Sequence, residues 1–326
     1  MLFKTRFHPQ DIQKLCRLKL EVFIHKVMVR DFNLLVILGP TASGKTQVGV
    51  RIARTLNGEI ISADSRQVYR GMDLGTGKDL KEYGEVPYHL IDIVDPGYEF
   101  SVFEFQRRFV PAFLDIQGRG MLPILVGGTG LYLEAVLQGY RLVEVPRNPK
   151  LRSEFEPLSL EDLADHLKRI NPSLHNTTDL YHRERVIRAI EIAQFRGDPS
   201  SQPSLPDLLP IIFGIRWPRD VLCQRITRRL KERINQGMME EIKSLHKAGI
   251  SLEKLDFYGL EYRYGAMYLR GRLTKNDLFQ ELNSAIHQFA KRQETWFRRM
   301  ERHGTRIHWI AGDKDPAEKI LKVLEK

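Results

Sequence analysis

Apolar and polar residues follow one another along this chain in two different rhythms. Leu34-Leu35-Val36-Ile37-Leu38 is a continuous apolar run that stops at Gly39. A run this short, closed by glycine, predicts a strand buried on both faces, as in parallel sheets. Beyond Thr46 the period changes. Val48, Ile52 and Leu56 recur every fourth residue and predict one stripe of a helix, which Gly58 ends. Glu59 to Ser62 reads as a second strand. Ser101-Val102-Phe103-Glu104 reads as a capping box, and Val102, Phe105, Phe109 and Ile116 line the helix it opens, up to Gly118. Leu122 to Val126 is another apolar strand, with Gly127-Gly128-Thr129 at its end. Strand and helix in alternation predict an α/β fold around a parallel sheet.

From about Arg147 the chain turns charged and helical, as far as the loop GDPSSQPSLPD. Ile211 to Ile215 predicts a return strand, long helical stretches run to about Arg302, and Ile307 to Ile310 predicts a last short strand. The expected organisation is a sheet core broken by an α-helical insertion. Residues 31–145 form the first part of the core, 146–205 and about 236–283 the insertion, and 206–235 with 284–326 the rest of the core. On the helix from Asp277 to Arg302, Leu282, Ala285, Ile286, Phe289, Trp296 and Met300 gather on one side. Lys291, Arg292, Arg298, Arg299 and Arg302 form a basic flank, either a solvated face or a surface that tracks a nucleic-acid backbone.

Composition narrows the partners. The chain has 326 residues and a net charge of +10, which favours an anionic partner, nucleic acid or small phosphorylated substrates. No run of about 18 apolar residues occurs, so no membrane span is expected. The two cysteines, Cys16 and Cys223, offer neither a disulfide framework nor zinc spacing. A reducing cytoplasm fits. Residues 1–30 read as an N-terminal extension, and Met28 followed by VRDFNLLVILGP would be a natural start.

The chemistry gathers at strand ends. Gly39-Pro40-Thr41-Ala42-Ser43-Gly44-Lys45-Thr46 fits the phosphate-binding loop G-x-x-x-x-G-K-[ST], with a strand before it and a helix after it. This points to a core of the P-loop nucleoside-triphosphate-hydrolase kind. Backbone N–H groups and a helix N-terminus hold anionic oxygens, Lys45 adds a fixed charge, and the Thr46 hydroxyl is placed to ligand Mg2+. The motif does not say that the phosphate is ATP. In parallel sheets ligands lie beyond the carboxyl ends of strands, so Gly39–Thr46, Asp64–Gln67 and Gly127–Thr129 should share one crevice. There Asp64 could be a metal ligand, an acceptor-binding group, a general base or a turn residue that caps Gln67. Asp92 and Asp95 are the nearest candidates for a second magnesium carboxylate. Trp217, Trp296 and Trp309 are expected in the core, and His89 and His182 in local hydrogen bonds.

GPTASGKT, SADSRQVYRGMDLGTGK, PYHLIDIVDP, LVGGTGLYL, RERVIRAIEI and AKRQETWFRR, in this order, resemble the tRNA dimethylallyltransferases (tRNA isopentenyltransferases) of bacterial type, from about Leu34 to Trp309. The resemblance implies that the loop grips dimethylallyl diphosphate. The reaction it implies is attack by the exocyclic N6 amine of the adenosine 3′ of the anticodon, with release of diphosphate. By resemblance Asp64 is the general base, Thr129 lies beside the reacting amine, and Arg229 joins Lys45 on the diphosphate. Mg2+ is the implied cofactor. Asp64, Ser65, Arg66, Gln67, Thr129, Arg152, Glu184, Arg185, Val186, Ile187, Arg188, Tyr258, Gly259, Leu260, Glu261, Tyr262 and Arg263 match tRNA contacts. A monomer that takes the tRNA anticodon stem-loop is implied, with no zinc finger. Three positions depart from the family: Arg66 replaces a small or apolar residue, GTGK replaces GTAK, and Glu261 stands at a glycine position. Two other readings remain: prenyl transfer to free adenine nucleotides, and a small-molecule P-loop kinase. The first should dispense with the basic helical region, and the second leaves GGTGLY and KRQETW unexplained.

Overall fold

A computed structural model of the chain describes residues 32–172, 180, 183–195 and 205–325. Its sheet has six strands: β1 (Leu34–Leu38), β2 (Gly58–Ala63), β3 (Tyr88–His89), β4 (Leu122–Gly127), β5 (Pro210–Arg216) and β6 (His308–Ala311). They lie in the order β3-β2-β4-β1-β5-β6, and every pairing is parallel. The expected strands are all present, and β3 is an addition. Leu38 is in register with Gly127 and Gly214, and Ala63 with Gly127. The carboxyl ends of β1, β2 and β4 therefore stop level, and the loops that follow start at one edge.

The side-chain alternation of a strand divides the core. Leu34, Val36 and Leu38 of β1 join one apolar cluster, whereas Leu35 and Ile37 join another. The second cluster holds Val48, Ile52 and Leu56 of α1 (Lys45–Leu56), with Ile320 and Leu324 of α12 (Pro316–Leu324). The first holds Phe105, Phe109 and Phe113 of α2 (Val102–Gly118) and Leu133 of α3 (Gly130–Leu137). To these it adds the inner faces of α7 (Arg219–Asn235), α8 (Met238–Lys247), α10 (Leu260–Leu269) and α11 (Lys275–Arg302). The short α9 (Leu252–Leu255) precedes α10. Ser101 caps α2 by accepting the Glu104 N–H at 3.2 Å, but the Glu104 carboxylate turns to Arg107 and Arg108. Only half of the expected capping box forms.

The described residues divide into two compact units, those up to 140 with those from 205 onward, and those between 141 and 204. The second holds α4 (Pro149–Phe155), α5 (Leu160–Ile170) and α6 (Arg183–Gln194) around Phe155, Leu163, Leu167, Val186, Ile187 and Ile190. One expected boundary is corrected: residues 236–283 belong to the sheet unit. Met238, Ile242, Tyr258, Tyr262 and Leu278 bury their side chains in the same cluster as Tyr69 and Val68. A helical segment with an apolar stripe joins whichever core buries that stripe.

Candidate functional site

The phosphate loop is built to lack something. Ala42 and Gly44 both have positive φ, 61° and 87°, which turns successive backbone groups inward. Gly44 precedes α1 with no side-chain cap, and the first turn of α1 has no acidic residue, so its N–H groups await an anion. The Ser43 hydroxyl is buried with no hydrogen-bond partner. At Gly39 a Cβ would stand 2.7 Å from that hydroxyl. Buried polar groups find partners, and the one that suits a hydroxyl inside such a loop is a phosphate oxygen. The loop carbonyls are already engaged. Trp217 Nε1 donates to Ser43 O at 2.9 Å, and Arg225 Nε donates to Ala42 O at 2.8 Å while its guanidinium lies over the Trp217 ring. Trp217 is thus a brace of the loop and not only the core residue expected. Burial pushes the Lys45 ammonium down to about 8, against the charge of Asp64, while Arg229 and Arg233 press it the same way as burial.

Asp64 follows β2. Its Oδ1 accepts the Arg66 N–H at 2.9 Å, a local turn that fixes the carboxylate. Thr129 Oγ1 accepts the Ser65 N–H at 3.1 Å, and the Thr129 N–H returns to Ala63 O at 3.2 Å. The loops after β2 and β4 are therefore tied together with Asp64 and Thr129 at the knot. Gln67 is buried and bonded to Ser62 and to the Gly77 carbonyl, so its part is to hold the turn.

Helix α7 adds a ladder that the sequence shows by spacing alone. Arg225, Arg229 and Arg233 recur every fourth residue, on one face. Arg229 donates to Asp79 Oδ2 at 2.6 Å and to Gly77 O at 3.3 Å, and Arg233 donates to the same Asp79 oxygen at 3.1 Å. Burial draws the Arg233 guanidinium down to about 10. The departure GTGK has its reason here, because a side chain at Gly77 would run into the Arg233 guanidinium. Lys78 of the same motif is buried and bonded to Tyr69 O, Asp73 and Asp92, a structural pin. Glu241 gathers the N–H groups of Asp73, Leu74 and Gly75 at 2.8, 2.8 and 3.0 Å. The whole loop 73–79 is thereby fixed beside the arginines.

Gln293 is the functional residue that residue-by-residue reading missed. From α11 its Oε1 accepts the Thr41 N–H at 2.8 Å, and its Nε2 donates to Gly128 O at 2.8 Å. One side chain thus joins the phosphate loop to the loop after β4. Gly128 must be glycine for this, since a Cβ would stand 2.6 Å from Gln293 Nε2. A polar residue in the middle of an apolar helix stripe is the only signal it leaves in the sequence.

Several side chains expected at the tRNA are engaged within the protein. Val186 and Ile187 are 0% and 4% exposed in the core of the helical unit, and Tyr258 and Tyr262 are 1% and 0% exposed. Their side chains are enclosed by the protein. Tyr258 instead accepts the Gly97 N–H, and the Tyr262 hydroxyl donates to Glu241 at 2.7 Å. Leu260 packs on the same core. Gly259 has φ 129° and precedes α10, Glu261 is half-buried in the first turn of that helix, and Arg263 is exposed. Burial pushes the Glu261 carboxyl up, against the pull of Arg233 and Arg229. Arg152 is bonded to Glu191 and Glu184, and Arg188 to Glu191 and Val145 O. Glu184 and Arg185 are exposed. Arg299, expected on the open basic flank, reaches the buried Glu134 at 2.7 Å. Trp296 packs on the backbone at Gly130, and Trp309 donates to Glu301 at 2.8 Å. His89 pairs with Glu59, whereas His182 lies outside the described residues.

Asp92 and Asp95 are engaged with Lys78 and Arg70. Among the described residues no group of three or more His, Cys, Asp or Glu could hold a metal. The hydroxyl that the loop offers to a metal is that of Thr46. It fits a magnesium ion bound mainly through substrate phosphates and water, as Mg2+ prefers. Among the described residues no helix is long and apolar enough to cross a membrane.

Two family models match the chain, "IPP transferase" over residues 67–300 and "Isopentenyl transferase" over residues 32–85. The chain is 66% identical to tRNA dimethylallyltransferase 1 of Geotalea uraniireducens, over 90% of this chain and 97% of that one. It is 37% identical to the full-length tRNA isopentenylpyrophosphate transferase of Bacillus halodurans. That structure superposes with a TM-score of 0.66, over 90% of this chain and 94% of the other. A eukaryotic dimethylallyltransferase, described as acting on tRNA, shares the fold at 23% identity with a TM-score of 0.72, over 88% of this chain and 77% of its own.

Proposed function

We infer the reaction from one premise: the chain belongs to the tRNA dimethylallyltransferase family. It transfers a dimethylallyl group from dimethylallyl diphosphate to tRNA. The acceptor is the N6 amine of the adenosine 3′ of the anticodon. The observation that carries this reading is the cluster at the sheet edge. An incomplete phosphate loop, Lys45, and the Arg229–Asp79 pair meet the Asp64–Thr129 knot there.

In the reaction an N–C bond forms between the adenine amine and the allylic carbon, and the carbon–oxygen bond to diphosphate breaks. The electron pair leaves with the diphosphate, and the amine proton goes to the Asp64 carboxylate. Oδ1 of Asp64 is engaged with the Arg66 N–H, so Oδ2 takes the proton. The loop N–H groups, the Ser43 hydroxyl, Lys45 and Arg229 stabilise the charge that grows on the leaving group. Mg2+, held by Thr46 and phosphate oxygens, would supply further charge neutralisation there. The acceptor base must leave its stack, at a cost of a few kcal/mol. Arg66 and Thr129 stand beside the acid–base group to receive it. Of the segment 184–188, Glu184, Arg185 and the half-buried Arg188 are the side chains able to meet RNA.

The test is label transfer from dimethylallyl diphosphate to unmodified tRNA, with AMP and ATP as rival acceptors. Label on tRNA alone is expected. Label on free nucleotide, or ATP consumption without label transfer, would replace the reading with one of its two rivals. Asp64→Ala should abolish transfer and leave tRNA binding within a few-fold. A collapse of binding would make Asp64 a recognition group.

A further inference from the structure

Phe257 sits in the single turn Asp256–Tyr258, between α9 and α10. Its neighbour Tyr258 is buried, but the Phe257 ring is 38% exposed. Single exposed apolar side chains are ordinary, but this one has company. The Arg66 guanidinium carbon lies 5.1 Å from the ring centroid, and Lys254 Nζ lies 5.7 Å from it. Lys254 is itself steered by Glu99 at 3.1 Å. The ring is also fixed from below, edge-on to Tyr258 at 5.4 Å, and Tyr258 is edge-on to Tyr69 at 4.8 Å. Arg66 reaches Phe257 past Gly259, where a Cβ would stand 3.9 Å from Arg66 Cγ.

The place of this aromatic matters most. Arg66 is two residues from Asp64, and its N–H is bonded to the Asp64 carboxylate. Two residues of chain span at most ~7 Å. When the acceptor base leaves its stack, the neighbouring base loses the partner on one face. Single-stranded RNA is read by stacking such bases on aromatic rings or on arginine planes. Resting on the reading that RNA is the acceptor, we propose that Phe257, with Arg66 and Lys254, is a stacking platform for the nucleotide next to the acceptor in the anticodon loop. The freed base face stacks on this aromatic–guanidinium pair, and the charges of Arg66 and Lys254 attract the neighbouring phosphates. The same pairing gives a use to Arg66, a departure from the small or apolar residue common in the family: the guanidinium completes the platform.

The experiment uses the full-length enzyme and an anticodon stem-loop RNA. Phe257→Ala should raise KM for the RNA about 5- to 150-fold, the range of one lost base stack. The loss should not appear in KM for dimethylallyl diphosphate, and Phe257→Tyr should restore most of it. Stem-loops made abasic on either side of the acceptor, one at a time, supply the second measurement. At one of the two positions the abasic RNA should lose as much with the unaltered enzyme as Phe257→Ala does, and nothing further with Phe257→Ala. Additive losses at both positions, or an unchanged KM in Phe257→Ala, would overturn the platform while transfer itself persists. No transfer by the unaltered enzyme would instead overturn the function on which the platform rests.

Discussion

Single residues carry the polarity of this molecule, and burial imposes the pairing of Glu59. Glu59 is the second residue of β2, inside the protein, where Arg119 donates to it at 2.7 Å and His89 meets it at 2.7 Å. The hydrogen bonds from Arg119 outweigh burial and, with help from His89, hold its carboxyl at about 2. A depressed carboxylate stabilises the fold above its unfolded value, 4.5, and loses that contribution as pH falls through about 2. Glu59→Gln should therefore cost on the order of ~3 kcal/mol at neutral pH. The gap between variant and parent should close between about 4.5 and about 2. Denaturant unfolding at stepped pH reads it, and a gap that stays constant would assign the loss to packing. Asp64 contrasts with Glu59. It is only partly buried, and its Oδ1 accepts a backbone N–H.

At the scale of elements, the periodic patterns are legible and the exact seams are not. The buried positions of α11 are Leu278, Leu282, Ile286, Ala290, Gln293, Phe297 and Met300. The wheel reading found the right helix and three of its inner residues, but it placed Phe289 inside, and Phe289 is exposed. The steps of four and three between buried residues follow the 3.6-residue turn, and a large aromatic one position off that line falls outside. Gln293 lies on the line and serves two loops. Gln293→Ala leaves the Thr41 N–H and the Gly128 carbonyl without partners, at ~1–3 kcal/mol for each buried group. A lower melting temperature and a raised KM for dimethylallyl diphosphate are expected. Gln293→Glu keeps the acceptor and loses the donor, so it should fall between the two. Equal KM in all three would reduce Gln293 to packing.

At the scale of the whole molecule, charge is the quantity to test. The net charge of +10 should make tRNA binding fall steeply with salt. Arg185→Ala and Arg188→Ala should each weaken binding and lower the slope of log K against log salt by about 1. Arg152→Ala should do the same and also lower the melting temperature, because Glu191 loses two of its donors. Unchanged slopes in all three would remove residues 141–204 from the RNA interface. That unit folds around its own apolar cluster, so its stability and its affinity can be followed separately.

Local pattern alone decided the parallel sheet, the position of the phosphate loop between β1 and α1, and the place of Asp64 and Thr129 at strand ends. Runs of apolar residues and their periods are properties of neighbours in the chain, and strand polarity then fixes where ligands gather. The arginine ladder of α7 was equally open to reading, since spacing by four is local. The tertiary structure alone decided that Val186, Ile187, Tyr258 and Tyr262 are core, that residues 236–283 join the sheet unit, and that Gln293, Trp217 and Arg225 brace the loop. Each of these rests on partners more than 20 residues away along the chain, as the bond from Gln293 to Thr41 shows. Burial and long-range hydrogen bonds depend on which surfaces close on one another, and no local period records that choice.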